Sequence, residues 1–235
     1  MYCWGDNSYA QLGDGTTIDR LSPTQVRTSA STLLSGVAQV ASGECHTCAR
    51  MSAGGYRCWG RNANGQLGDG TTTDAVYAPA ADLVSPIDPT PIAWIAVSPM
   101  GYGHTCLGVG TNDAYCMGSN WAAQLGASGV DQSTPWKKGV GGVFTDVCLG
   151  WAHTVVLRSS LLRVIGSNSY GQLGVGSTSD KTGWTNGPTV TGLDVACGGN
   201  FTCVRTSTGV RCWGANDNGM RMMCMLHMPC LCYWS

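Results

Sequence analysis

Short runs rich in Val, Thr, Tyr, Trp and Cys alternate along the chain with clusters of Gly, Asn, Asp and Ser. That alternation is what short antiparallel strands joined by tight turns require. Residues 37–42 (VAQVAS), 46–50 (HTCAR) and 56–60 (YRCWG) read as three strands, with 52–55 (SAGG) turning between the last two. The stretch 62–70 (NANGQLGDG) reads as a loop. Its Asn suits an Asx-turn, and its glycines permit backbone angles that other residues resist. Leu67 is expected to plug the core beneath this loop, and Gln66 to satisfy its backbone groups.

The pattern returns along the chain. Motifs of the "WG" type fall at 3–5, 58–60, 116–118, 164–166 and 212–214, with glycines Gly5, Gly60, Gly118, Gly166 and Gly214 spaced 55, 58, 48 and 48 residues apart. Each is followed two residues later by Asn7, Asn62, Asn120, Asn168 or Asn216. A "QLG" follows at 11–13, 66–68, 124–126 and 172–174, and then a proline: Pro23, Pro79, Pro135, Pro188. Leu12, Leu125 and Leu173 repeat the plug of Leu67. A second anchor precedes each later "WG": SGECHTC at 42–48, PMGYGHTC at 99–106, LGWAHTV at 149–155 and CGGNFTC at 197–203. A lone sheet of this size cannot bury both faces. Radial stacking of copies can, which predicts an all-β fold, a β-propeller.

Composition agrees. The chain of 235 residues is long enough for a real core. It has 34 Gly, thirteen Asp against the single Glu44, and only Lys137, Lys138 and Lys181 as lysines. Such a chain favours turns over helices. The net charge is −1, and Lys137–Lys138 read as a solvated loop pair, far short of the basic stripe of a duplex-DNA binder. No nucleic-acid partner is expected, and no apolar run reaches the length of a membrane span. Tyr2–Gly5 already belongs to a repeat, so no signal peptide is read.

The order "G-x-x-H-T … C/V-WG-x-N-x-x-G-QLG-x-G … P" resembles the regulator of chromosome condensation repeat family over residues 1–219. The resemblance implies a propeller of that type with seven blades, built from repeats of about fifty residues. Four to five blades' worth of repeat are present, so a fragment of a longer protein, cut inside a blade, is expected.

Two cysteines flank the hairpin in three copies: Cys48 and Cys58, Cys106 and Cys116, Cys203 and Cys212. The remaining full copy has Val155 and Val164 instead. Joint presence or absence is what a cross-strand disulfide predicts, since facing residues of antiparallel strands lie within reach. The alternative is a small core residue. Disulfides would place the protein outside the cytoplasm, secreted, periplasmic or at the cell surface; free thiols would return it to the cytoplasm or nucleus. Cys45 with Cys48 forms a C-x-x-C, but no second such pair supplies a zinc site. Cys148 and Cys197, at the positions of Ala41 and Ser42, read as small core residues.

His46, His104 and His153 occupy one repeat position, which Phe201 fills in the last copy. A histidine repeated per blade and replaceable by Phe is structural. No nucleophile, metal or phosphate-loop motif is present, and neither an enzyme nor a cofactor is expected. The resemblance offers three roles: exchange factor for the Ran GTPase on chromatin, plant ultraviolet-B photoreceptor, and bacterial propeller that inhibits β-lactamase. Photoreception is set aside, because the photoreceptor's repeated GWRHT occurs once, as Gly150–Trp151–Ala152–His153–Thr154, without its arginine.

The expected function is therefore a non-enzymatic scaffold whose variable loops meet a protein partner. The alternatives are Ran-type nucleotide exchange and enzyme inhibition. Trp94, Trp121, Trp136, Trp151 and Trp184 lie outside the "WG" position and are the candidate contacts. The insertion at 80–95 is the longest departure from the repeat. Residues 220–235 (MRMMCMLHMPCLCYWS) break the motif where Gln–Leu–Gly is due, and read as a frameshift or gene-model artefact in preference to a copper(I) tract.

Overall fold

The computed structural model describes residues 1–83, 90–100, 103–110, 113–126, 129–138 and 144–217. Residues 84–89 of the 80–95 insertion and the whole 220–235 tail lie outside them. The described residues form sixteen β-strands and no helix. They fall into five separate antiparallel sheets: β1(Tyr2–Gly5) with β2(Arg20–Gln25); β3(Val37–Ser42), β4(His46–Met51) and β5(Tyr56–Gly60); β6(Ile92–Val97), β7(His104–Val109), β8(Asp113–Gly118) and β9(Gln132–Lys138); β10(Phe144–Leu149), β11(His153–Arg158), β12(Leu161–Gly166) and β13(Lys181–Asn186); β14(Asp194–Cys197), β15(Phe201–Thr206) and β16(Gly209–Gly214). These sheets are the blades of a β-propeller. Two isolated bridges, Gly60 with Ala75 and Tyr56 with Leu83, stand where the second blade would carry its fourth strand.

The strands at 37–42 and 56–60 have the bounds read from sequence, and β4 runs one residue further, to Met51. The core lies between blades rather than within one sheet. Tyr56, Cys58 and Leu67 of the second blade pack against Ile92, Leu107 and Tyr115 of the third. Val155, Val164 and Leu173 of the fourth pack against Val195 and Val204 of the fifth. Each sheet thus buries its faces on its neighbours, so no blade has a complete core alone.

The glycine of each "WG" has a physical cause. Gly60 sits at φ +100°, and a Cβ there would lie 2.6 Å from the Cys45 carbonyl oxygen. Gly5, Gly118, Gly166 and Gly214 share this left-handed conformation, with φ between +100° and +107°. In three blades the ladder to the outermost strand slips at this residue, turning the chain into the loop that follows.

That loop is held from inside by its own side chains. Asn7, Asn62, Asn120 and Asn168 each accept, through Oδ1, the N–H of the leucine five residues on, at 2.9–3.0 Å. Gln11, Gln66, Gln124 and Gln172 each accept the N–H two residues back at 2.9–3.0 Å. Leu12, Leu67, Leu125 and Leu173 are buried beneath. An aspartate closes each loop: Asp19, Asp74, Asp131 and Asp180 accept the N–H of the repeat asparagine at 2.7–2.9 Å. These aspartates escaped the sequence reading, although their spacing of eleven or twelve residues after the asparagine was there to find.

Candidate protein-docking face

The turn before β4 and the long loop after β5 emerge on one face of the propeller, and the same holds in every blade. Behind this face, adjacent blades are tied by a repeated polar relay. Thr105 donates its hydroxyl proton to the Gln66 carbonyl at 2.8 Å, and Thr47, Thr154 and Thr202 do the same to Gln11, Gln124 and Gln172. A threonine has one proton to give. The histidine Nε2 that meets each threonine oxygen must therefore be the donor: His46 to Thr105 at 2.9 Å, His104 to Thr154 at 2.9 Å, His153 to Thr202 at 3.1 Å. Burial holds the three imidazoles neutral, depressed to about 4, about 3 and about 4. The three histidines are fully buried in blade-to-blade contacts, with no route to a ligand on the face.

The cysteines also join strands and blades. Disulfides link Cys48–Cys58, Cys106–Cys116 and Cys203–Cys212 across facing strands, with Cα separations of 4.1–4.2 Å. Val155 faces Val164 at the same register. A fourth disulfide, Cys148–Cys197, corrects the reading of these two as mere core filler: it joins β10 to β14 in adjacent blades. Cys45 is buried with a free thiol, and burial pushes its pKa up.

The five candidate tryptophans separate. Trp94 is half-buried and packs edge-on against Phe144, 6.3 Å between centroids, in a blade-to-blade contact. Trp184 is half-buried on β13. Trp136 lies on β9, and its side chain is outside the described residues. Trp121 and Trp151 come together on the docking face, edge-to-face at 6.5 Å, with Trp121 55% exposed. They come from successive repeats: Trp121 from the loop after β8, Trp151 from the turn before β11.

The pair forms the wall of a cleft of about 380 Å³, mostly apolar, completed by Asn64, Ser119 and Asp131. Three loops meet here. Asn64 donates Nδ2–H to Asp131 Oδ2 at 2.7 Å, which ties the second repeat to the third. The other Asp131 oxygen closes its own loop on the Asn120 N–H at 2.8 Å. The cleft contains a carboxylate, hydroxyl and amide oxygens, and two indole rings. Among the described residues it pairs apolar ring surface with a few convergent polar groups, the make-up of a site that holds a ligand group.

Comparison with known proteins agrees with the architecture. A family model described as the regulator of chromosome condensation (RCC1) repeat matches residues 1–50, and a second of the same description matches 37–66 and 193–219. The chain is 31% identical over 165 residues to the ultraviolet-B receptor UVR8 of Arabidopsis thaliana, covering 68% of this chain and 35% of that protein. It is 31% identical over 169 residues to the human protein named Probable E3 ubiquitin-protein ligase HERC4, covering 70% of this chain and 15% of the relative. The chain therefore spans about a third of the first relative and less of the second. Among solved structures, human WBSCR16 superposes with a TM-score of 0.74 at 16% identity, over 92% of this chain and 60% of that one. Yeast Prp20p does so with a TM-score of 0.71 at 21% identity, over 86% and 50%. Both likenesses concern the fold.

The extracytoplasmic address expected from the cysteines is overturned. The repeat relatives, Prp20p, UVR8 and the HERC proteins, are nuclear or cytoplasmic. The physical reason is that antiparallel register alone brings positions 48 and 58 together, whatever fills them. The pairing reports strand register, as the Val155–Val164 pair shows, and not a redox compartment. With its repeats, its blades and its relatives all in agreement, the chain belongs to the regulator of chromosome condensation repeat family.

Proposed function

We propose that residues 1–219 act as a non-enzymatic protein-docking platform, and that the partner meets the face carrying the Trp121–Trp151 cleft. One observation carries this reading: two tryptophans from different repeats are held together, one largely exposed, on loops whose backbones are fixed from within. Rigid exposed aromatics supply contact area at low entropic cost and are enriched at the centres of interfaces.

The test is quantitative capture of partners from native extract by wild type, by Trp121→Ala/Trp151→Ala, and by Leu161→Ala. Leu161 is exposed and follows the turn on the opposite face. Loss of a partner with the tryptophan variant alone supports the reading, and equal loss with both variants or with neither overturns it.

A second reading draws on the fold likeness to Prp20p, whose structure was described together with its binding to Gsp1p and histones. Under it the chain would speed release of labelled GDP from a Ran-type GTPase at catalytic amounts. Such release would displace the platform reading.

A further inference from the structure

Adjacent repeats meet on the docking face through two positions, and the residues there differ from one boundary to the next. Between the first and second repeats these are Tyr9 and Arg61. The Arg61 guanidinium lies over the Tyr9 ring, 4.8 Å from its centroid. Between the second and third repeats the same positions hold Asn64 and Ser119, because Gly60–Arg61–Asn62 aligns with Gly118–Ser119–Asn120. Both replacements are smaller. The cleft opens at this boundary, and Asn64 and Ser119 line it.

The polar groups lining it are an amide oxygen, a hydroxyl and a carboxylate, each able to accept a hydrogen bond. Asn64 must turn its Nδ2–H₂ toward Asp131, which fixes its Oδ1 as an acceptor, and that oxygen is buried without a hydrogen-bond partner. Ser119, 1% exposed, has a hydroxyl oxygen with no partner either. Its counterpart Ser167 accepts from Gln172 at 3.3 Å, whereas in the third repeat Gln124 Nε2 and Ser119 Oγ are both unpartnered. Asp131 adds a formal negative charge, and among the described residues it meets two N–H groups and no cation. Two indole faces complete the wall.

We infer that this cleft receives an arginine side chain of the protein partner, in the place that Arg61 occupies at the neighbouring boundary. A guanidinium is planar, carries five N–H donors and one positive charge, and stacks on aromatic rings. Unpartnered acceptors, a carboxylate without a cation and an indole pair match each of those properties. The inference rests on the docking-platform reading for its partner.

The test uses the whole chain with ¹⁵N-labelled indoles and N-acetyl-arginine methylamide, compared with the isosteric but neutral citrulline compound. The expected result is a saturable shift of the Trp121 and Trp151 Nε1–H signals, assigned by single Trp→Phe variants, with arginine and none with citrulline. Asp131→Asn can keep the loop closed through its amide oxygen but removes the charge, and should weaken binding at least about tenfold. Asp74→Asn makes the same change one repeat away and should leave binding intact. Ser119→Arg restores the side chain found at position 61, fills the cleft in cis and should abolish the shifts. Equal binding of citrulline, shifts confined to other indoles, or full binding by Asp131→Asn and Ser119→Arg would each overturn the inference. The platform reading fails separately: partners kept by Trp121→Ala/Trp151→Ala sink it even if arginine binds. Partners lost by that variant but kept by Asp131→Asn and Ser119→Arg sink only the arginine.

Discussion

His104 Nε2 stands 2.9 Å from Thr154 Oγ1, and the threonine's only proton is already committed to the Gln124 carbonyl. The imidazole is therefore the neutral Nε2–H tautomer, a donor across a blade boundary. Phe201 fills the same repeat position in the last blade, so shape matters there as well as the hydrogen bond. His104→Phe should cost about 1 kcal/mol, the net value of one hydrogen bond. His104→Ala also opens a cavity and should cost about 3 kcal/mol. Urea unfolding of both variants measures the difference.

The same burial makes stability depend on pH. Folded His46, His104 and His153 are depressed to about 4, 3 and 4, below the ordinary value of 6.5 for an unfolded histidine. The unfolded chain therefore binds more protons below pH 6.5. The contribution of these residues is complete above that value and drains away as pH falls toward 4. Asp146 runs the other way: burial and the Asp194 carboxyl beside it raise it to about 6, so the folded state gains there as pH falls through 6. With three histidines against one aspartate, urea midpoints should drop from pH 7.5 to pH 4.5. His153→Phe should flatten that slope.

Oxidised protein should be more stable than reduced protein, and unequally so among its bridges. Cys148–Cys197 closes a separation of 49 residues and Cys203–Cys212 one of 9. Loop-closure entropy assigns about 4 kcal/mol to the first and about 3 kcal/mol to the second. Denaturant midpoints with and without dithiothreitol, for each double Cys→Ser variant, should show the larger loss for the bridge between blades. Cys106→Val/Cys116→Val copies the pair at Val155 and Val164 and should lose less than the serine pair at the same site.

Gly13 holds φ +67°, and a Cβ there would lie 2.5 Å from Trp59 Nε1, whose N–H donates to the Gln11 carbonyl at 3.0 Å. Gly13→Ala should cost about 2–3 kcal/mol by combining left-handed strain with displacement of the indole. A thermal melt reads that loss. Indole fluorescence should shift only modestly, since several other tryptophans remain.

What the sequence made legible is what each repeat contains within itself. The β3–β4–β5 pattern, the plug leucines and the glutamine acceptors all follow from contacts inside one fifty-residue unit, where spacing along the chain stands in for distance. Contacts between units carry no such spacing. Cys148 and Cys197 align with Ala41 and Ser42, and only the packing of β10 on β14 brings them together. Trp121 and Trp151 belong to different repeats and different motifs, so nothing along the chain distinguished them from Trp94, which turned inward. The loop-closing aspartates are a different case: their regular spacing was visible, but thirteen aspartates in a turn-rich chain made each look like ordinary turn material.

The histidine-to-threonine relay has a direction. The second, third and fourth blades each reach forward with a histidine and are met by a threonine that reaches back, so these three boundaries are the same one-way handshake. A whole unit can be duplicated or deleted by recombination, and the new neighbours will already carry matching hands. Growth of such a protein needs no fresh interface, while the residues on its face, outside the handshake, are free to diversify.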